Sequence, residues 1–236
     1  PVLFHAARPQ TPAPSKASTP RAYAPHNDPP QQMSGVKEHR LEEIELWGVD
    51  QAREALQGLL HTILFCRAPG PFKPQTVYAD HFELAFARVG SSSVIRNVER
   101  AVDALISPGG LVPAGPELLK GAIVLSFFER RRSKALFGLV KNEDKIVWEQ
   151  WTIPLLISTT PRPLGDDDPS RLERSRADAD ADRLLRQRIT DIHKIVNGPI
   201  DHVPNSMYEF EISKTALDEP RKRTSMLTPP SIGVQL

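Results

Sequence analysis

Apolar and polar positions in this chain repeat with two different periods, and each change of period marks an element. Arg40 to Trp47, RLEEIELW, alternates from Ile44 onward and predicts a first strand. After Asp50, read as an N-cap, Ala52, Ala55, Leu56, Leu59, Leu60, Ile63 and Leu64 recur at helical spacing, and Pro69, Gly70 and Pro71 end the run. Tyr78 to Arg88 returns to alternation, with Phe82, Leu84 and Phe86 on one face, and predicts a single half-buried strand. A second helix follows, capped among Ser91, Ser92 and Ser93, striped by Val94, Ile95, Val98, Ala101, Val102, Leu105 and Ile106, and stopped by Ser107 to Gly110. The stretch to Pro116 reads as a surface loop.

Gly121 to Ile157 is the segment around which the rest is organised. It predicts two strands, near Ala122 to Arg131 and Ile146 to Ile157, with Ile123, Leu125 and Phe127 on one face and Val124 and Phe128 on the other. Pro154 cannot donate to a ladder, which assigns it to an edge or a bulge. A third helix is bounded by Asp168 and Pro169 at its start and by Asn197, Gly198 and Pro199 at its end. Its stripe is Ala181, Leu184, Leu185, Ile189, Ile192, Ile195 and Val196, and the helix is expected to lie across the sheet. A last strand is read over Met207 to Ile212. The order is that of an α+β fold, a mostly antiparallel sheet packed against three main helices.

Composition adds boundaries to this pattern. Residues 1–32 hold eight of the 23 prolines and no periodic apolar pattern, so they bury too little surface to offset their ordering entropy. The expected organisation is a disordered proline-rich extension over 1–36, one domain over 37–213 and a flexible tail over 214–236. Pro9 and Pro12 have the spacing of a PxxP ligand, which is common in any proline-rich segment. The sequence opens without methionine, and Met33, just before the first ordered element, is a candidate start. Lys and Arg number 30 against 29 Asp and Glu, a net charge of +1, so no global field argues for a nucleic-acid or membrane partner. A single cysteine, Cys66, excludes an internal disulfide framework and suits a reducing cytosol or nucleus; its helical setting predicts a buried structural thiol. No apolar run approaches the roughly 18 residues needed to span a bilayer, and the expected location is cytoplasmic.

The chain carries few signals of catalysis. Asp178, Asp180 and Asp182 begin like a calcium loop, but Arg183 stands where glycine is required and Ile189 where glutamate is required, so a solvated helix face is the better reading. Asp166, Asp167 and Asp168 precede a helix, where carboxylates are favoured by its N-terminal dipole. Seven histidines are scattered without a close pair, which predicts no metal site and no cofactor. His61 reads as a satisfied, half-buried histidine. No GxSxG, GxxxxGK[ST] or GxGxxG is present, and a small-molecule substrate is not expected.

Two candidate binding features remain. Arg130, Arg131 and Arg132, with Lys134, form the densest basic patch, able to meet phosphates of lipids or nucleic acid, or simply to pair with Glu129 and nearby acids at a solvated strand end. Between the two central strands, Ala135, Leu136 and Phe137 are apolar in a connection that should be polar. Either they tuck into the core or they are displayed to a partner's pocket.

LHTILFCR in the first helix, SFFERRRSKALF before the connection and VWEQWTI after it, with the order of elements, resemble the autophagy-related protein 101 family over roughly residues 40–213. Trp148, Glu149, Gln150, Trp151 and Thr152 are among the most specific residues of the match. The resemblance implies a HORMA-like fold and a non-catalytic adaptor that pairs with the HORMA domain of autophagy-related protein 13 and stabilises it. It further implies a place in the kinase complex that initiates autophagosome formation, at the preautophagosomal structure, with a loop at 133–143 recruiting other initiation factors and, at most, weak contact with membrane lipids. The family's finger carries Trp-Pro-Phe. This chain has Ala135 where Trp is expected and Leu136 where Pro is expected, and keeps Phe137, which implies either no recruitment through the finger or a smaller pocket.

Overall fold

The computed structural model describes residues 35–68, 72–134 and 141–215, without the side chains of 132–134 and 141–143. Two long strands dominate it, β6 (Leu118–Lys134) and β7 (Lys141–Ser158), preceded by β1 (Lys37–Arg40), β2 (Ile44–Trp47), β3 (Pro74–Tyr78), β4 (Ala85–Val89) and β5 (Val112–Gly115), and followed by β8 (Glu209–Thr215). The helices are α1 (Val49–Cys66), α2 (Ser92–Ile106) and α3 (Asp168–Val196). β6 and β7 pair antiparallel along their whole length, with β5 and β8 antiparallel to β6. β1 and β2 instead run parallel to β7 on its other side, while β3 and β4 form a separate antiparallel pair. The architecture is therefore α+β with a mixed, mostly antiparallel sheet.

α1 forms the centre of the core. Ala52, Ala55, Leu56, Leu59, Leu60 and Ile63 have no solvent exposure, and the buried set continues through His61 and Thr62 onto the polar side. Such burial all round follows from its neighbours, which are α2, α3, β2, β4 and β7. The sheet answers with alternate residues of both long strands: Ile123, Leu125 and Phe127 from β6, and Trp151, Ile153, Leu155 and Ile157 from β7. α2 adds Val98, Val102 and Leu105, and α3 adds Ala181, Leu185 and Ile192. Gly121 permits the close approach of α2 to β6, because a Cβ there would lie 2.7 Å from Leu111 and 3.0 Å from Leu105.

Several expectations from the pattern are corrected. Tyr78 to Arg88 is not one strand but the join of β3 and β4; the Glu54 carboxylate accepts the backbone N–H groups of Asp80 (2.6 Å) and His81 (2.7 Å), holding a turn there, and Phe82 is buried in that turn. The surface loop before Pro116 contains β5. Gly48, at φ 93°, rather than Asp50, is the cap position of α1, a backbone conformation that favours glycine. Asp167, rather than Asp168, caps α3: its carboxylate accepts the N–H of Ser170 at 3.2 Å. α3 packs against α1 and β2. The last strand begins two residues later than the pattern places it. Pro154 does not lie on an outer edge, since β7 has neighbours on both sides; it stands opposite the break between β1, which ends at the register of Thr152, and β2, which begins at that of Leu155.

Candidate functional site

The long hairpin outruns its sheet. β8 reaches only to Phe128 and β1 only to Glu149, so beyond those rows, among the described residues, β6 and β7 pair only with each other. The result is a two-stranded arm of about 20 Å at the usual rise per residue. At its root the register steps from Phe127 opposite Glu149 to Phe128 opposite Val147, which leaves Trp148 as the extra residue of a β-bulge. The bulge places neighbours Trp148 and Glu149 both in the interior, 6% and 0% exposed. On the opposite strand Phe127 enters the core, while Phe128 lies beneath Lys145, whose Nζ is 4.3 Å from the ring centre, and Arg130.

Glu149 is the centre of a polar node within this apolar root. Its Oε1 accepts from Arg67 Nε at 3.0 Å and from Trp151 Nε1 at 2.5 Å; its Oε2 meets His202 Nε2 at 2.6 Å and His39 Nε2 at 4.0 Å. Each partner is delivered by a different element. Arg67 ends α1, where its own N–H bonds Ile63 O, and its carbonyl accepts the Tyr208 hydroxyl. Trp151 is on the same face of β7, two residues on. His39 pairs in register with Trp151 across β1 and β7, with ring centres 4.5 Å apart. His202 sits in the connection between α3 and β8, its ring 5.9 Å from that of Trp148.

Burial drives the electrostatics here. It pushes the Glu149 carboxyl up, but the hydrogen bonds from Arg67, His202 and Trp151, with the Arg67 charge, outweigh it and leave the group below its ordinary value. Burial lowers His39 despite the attraction of Glu149, so the ring is held neutral. The His39 Nε2 atom is buried without a hydrogen-bond partner among the described residues. The donor atoms of His39, Glu149 and His202 all lie within 4.8 Å of one another, a set able to hold a proton or a metal ion. Beside the node runs an apolar groove of about 310 Å³ lined by Leu64, Phe72, Val94, Met207, Tyr208 and Phe210 among others.

The residues singled out by sequence fall differently. Ala135, Leu136 and Phe137 lie outside the described residues, as do the side chains of Arg132 and Lys134. Arg130 and Arg131 are on the arm, half-exposed, and pair with Glu209 at 2.9 Å and Glu129 at 3.5 Å. Asp178, Asp180 and Asp182 pair with Arg162, Arg183 and Arg186 rather than converging. His61 is more deeply buried than its pattern suggests, at 3% exposure, with Nδ1 unpartnered and the ring stacked on Phe86. Cys66 is half-buried rather than buried, and burial raises its thiol pKa. The polar node was not visible as a site: His39 and His202 are 163 positions apart in the numbering, and only the acid between two tryptophans marked the place.

The family model described as Autophagy-related protein 101 matches residues 48–209, more than half of the chain. The chain is 31% identical over 193 residues to Autophagy-related protein 101 of Arabidopsis thaliana, covering 75% of this chain and 84% of that protein. It is 28% identical over 116 residues to the proteins of the same name from Xenopus laevis and Xenopus tropicalis, covering 44% of this chain and 50% of each.

Proposed function

This chain belongs to the autophagy-related protein 101 family, and on that premise we propose that it is a non-catalytic adaptor of autophagy initiation. It pairs with the HORMA domain of autophagy-related protein 13, stabilises it, and acts within the initiating kinase complex at the preautophagosomal structure. Its own domain, over 37–213, is of the HORMA type. The observation that carries this reading is the family match, which spans the arm and, of the node at its root, Arg67, Glu149, Trp151 and His202.

An arm in which β6 and β7 run on paired with each other as far as Lys134 and Lys141 suits recruitment by the connection at 133–143. Leu136 and Phe137 then serve as the anchors for a further initiation factor. The test is association of the full chain with the partner HORMA domain at micromolar concentration, measured by co-purification and calorimetry; absence of a complex sinks the central reading. Phe137→Ala leaves that complex intact and weakens the further factor, whereas unfolding of the variant would assign Phe137 to the core.

An anionic lipid or nucleic acid on Arg130, Arg131, Arg132 and Lys134 is the alternative. It requires Arg130 and Arg131 to exchange their pairs with Glu209 and Glu129 for phosphates. Binding to anionic vesicles or oligonucleotides that falls steeply with salt and is lost on replacing the arginines would favour it.

A further inference from the structure

We propose that His39, Glu149 and His202 form a binding site for a zinc-type divalent transition-metal ion, which fastens β1 and the α3–β8 connection to the root of the arm. Two imidazole nitrogens and one carboxylate oxygen are a donor set that suits zinc, leaving a fourth position for water. The three donor atoms already lie within 4.8 Å of one another, and they come from three separate segments of the chain.

The two carboxylate oxygens have different surroundings. Oε1 is occupied by the N–H groups of Arg67 and Trp151, an arrangement that orients a ligating carboxylate from behind. Oε2 faces the two Nε2 atoms, His202 at 2.6 Å and His39 at 4.0 Å. Arg67 Nε also reaches Oε2 at 3.2 Å, so its charge opposes the ion and limits the affinity to a moderate, micromolar range. Against that stands the unpartnered His39 Nε2, buried within reach of the same oxygen. A buried nitrogen without a partner is costly, and a cation coordinated by it removes the cost.

The fold consequence is specific. β1 is only four residues long and, among the described residues, pairs with β7 alone, while the α3–β8 connection forms no ladder over 199–206. An ion shared by His39, Glu149 and His202 cross-links both to β7, and its removal frees them without dismantling the core around Trp151.

The test uses the full chain, free of any histidine tag and stripped by a chelator, titrated with zinc in a calorimeter near pH 7.5. One saturable site per chain and a zinc-dependent rise in Tm are expected, with His39→Ala and His202→Asn each weakening affinity at least about 10-fold. Cobalt(II) added to the unaltered chain gives the intense visible absorption of a low-coordinate site, a readout that does not depend on any variant folding. Absence of saturable binding, a weak six-coordinate cobalt spectrum, or zinc affinity unchanged in both variants would overturn the site.

Discussion

Arg67 and Glu149 meet at 3.0 Å although they are 6% and 0% exposed, so the end of α1 is tied to β7 by an ion pair taken out of water. Such a pair adds little net stability compared with a hydrophobic replacement, but removing one partner leaves an uncompensated buried charge. Arg67→Ala is therefore expected to cost about 3–5 kcal/mol in chemical denaturation. Combining Arg67→Met with Glu149→Gln recovers part of the loss of the single changes; strict additivity would mean that the two groups are not coupled.

The two tryptophans flanking Glu149 are expected to respond unequally to loss of the indole N–H. Trp151 Nε1 donates to Glu149, whereas Trp148 Nε1 is buried without a partner. Trp151→Phe thus costs about 1–3 kcal/mol through the oxygen left short of a donor, while Trp148→Phe keeps most of the stability. Trp148→Ala, which empties the bulge, costs about 3–5 kcal/mol. Equilibrium denaturation of the three variants orders them.

Acid should destabilise the protein in two stages. His61 is lowered from 6.5 to about 4 by burial, with Arg88 adding to the effect, and burial lowers His39 as well. As pH falls below 6.5 the unfolded chain takes up protons that the folded one refuses until about 4, so stability falls across that window, for His61 by on the order of 3 kcal/mol. Glu149 acts next: its lowered pKa supplies stability above its ordinary value of 4.5, lost as pH falls through the folded value. His61→Leu should flatten the decline between pH 6.5 and 4 in Tm measurements without lowering stability at neutral pH, since Nδ1 has no partner to lose.

At the start of α3, Asp167→Ala should lower Tm measurably while Asp168→Ala does not. Asp167 accepts both the Ser170 N–H and its hydroxyl, and those bonds hold its carboxyl below the ordinary range. Asp168 makes only an exposed pair with Arg171. The difference vanishes in strong acid, as the cap takes up its proton.

Periodicity alone determined the helices, because a stripe such as Val98, Val102 and Leu105 has one face to bury whatever it meets. It also determined the two long strands and the identity of most core residues, and the residues of WEQW signalled the family. Local pattern carries no information about partners in space. It could not reveal that β1 and β2 lie parallel to β7, that a Glu54 carboxylate divides Tyr78–Arg88 into two strands, or that α1 is enclosed on nearly every side. Ala135, Leu136 and Phe137 were legible as apolar residues in a polar connection, a local contrast. The node was not, since neither His39 nor His202 has meaning until the pairing of β1 with β7 and the return of the chain after α3 bring both rings to Glu149. Sequence determined which segments had a face to hide, and tertiary structure decided which polar groups were trapped behind it, because burial rather than residue type alone makes a carboxylate and two imidazoles depend on one another.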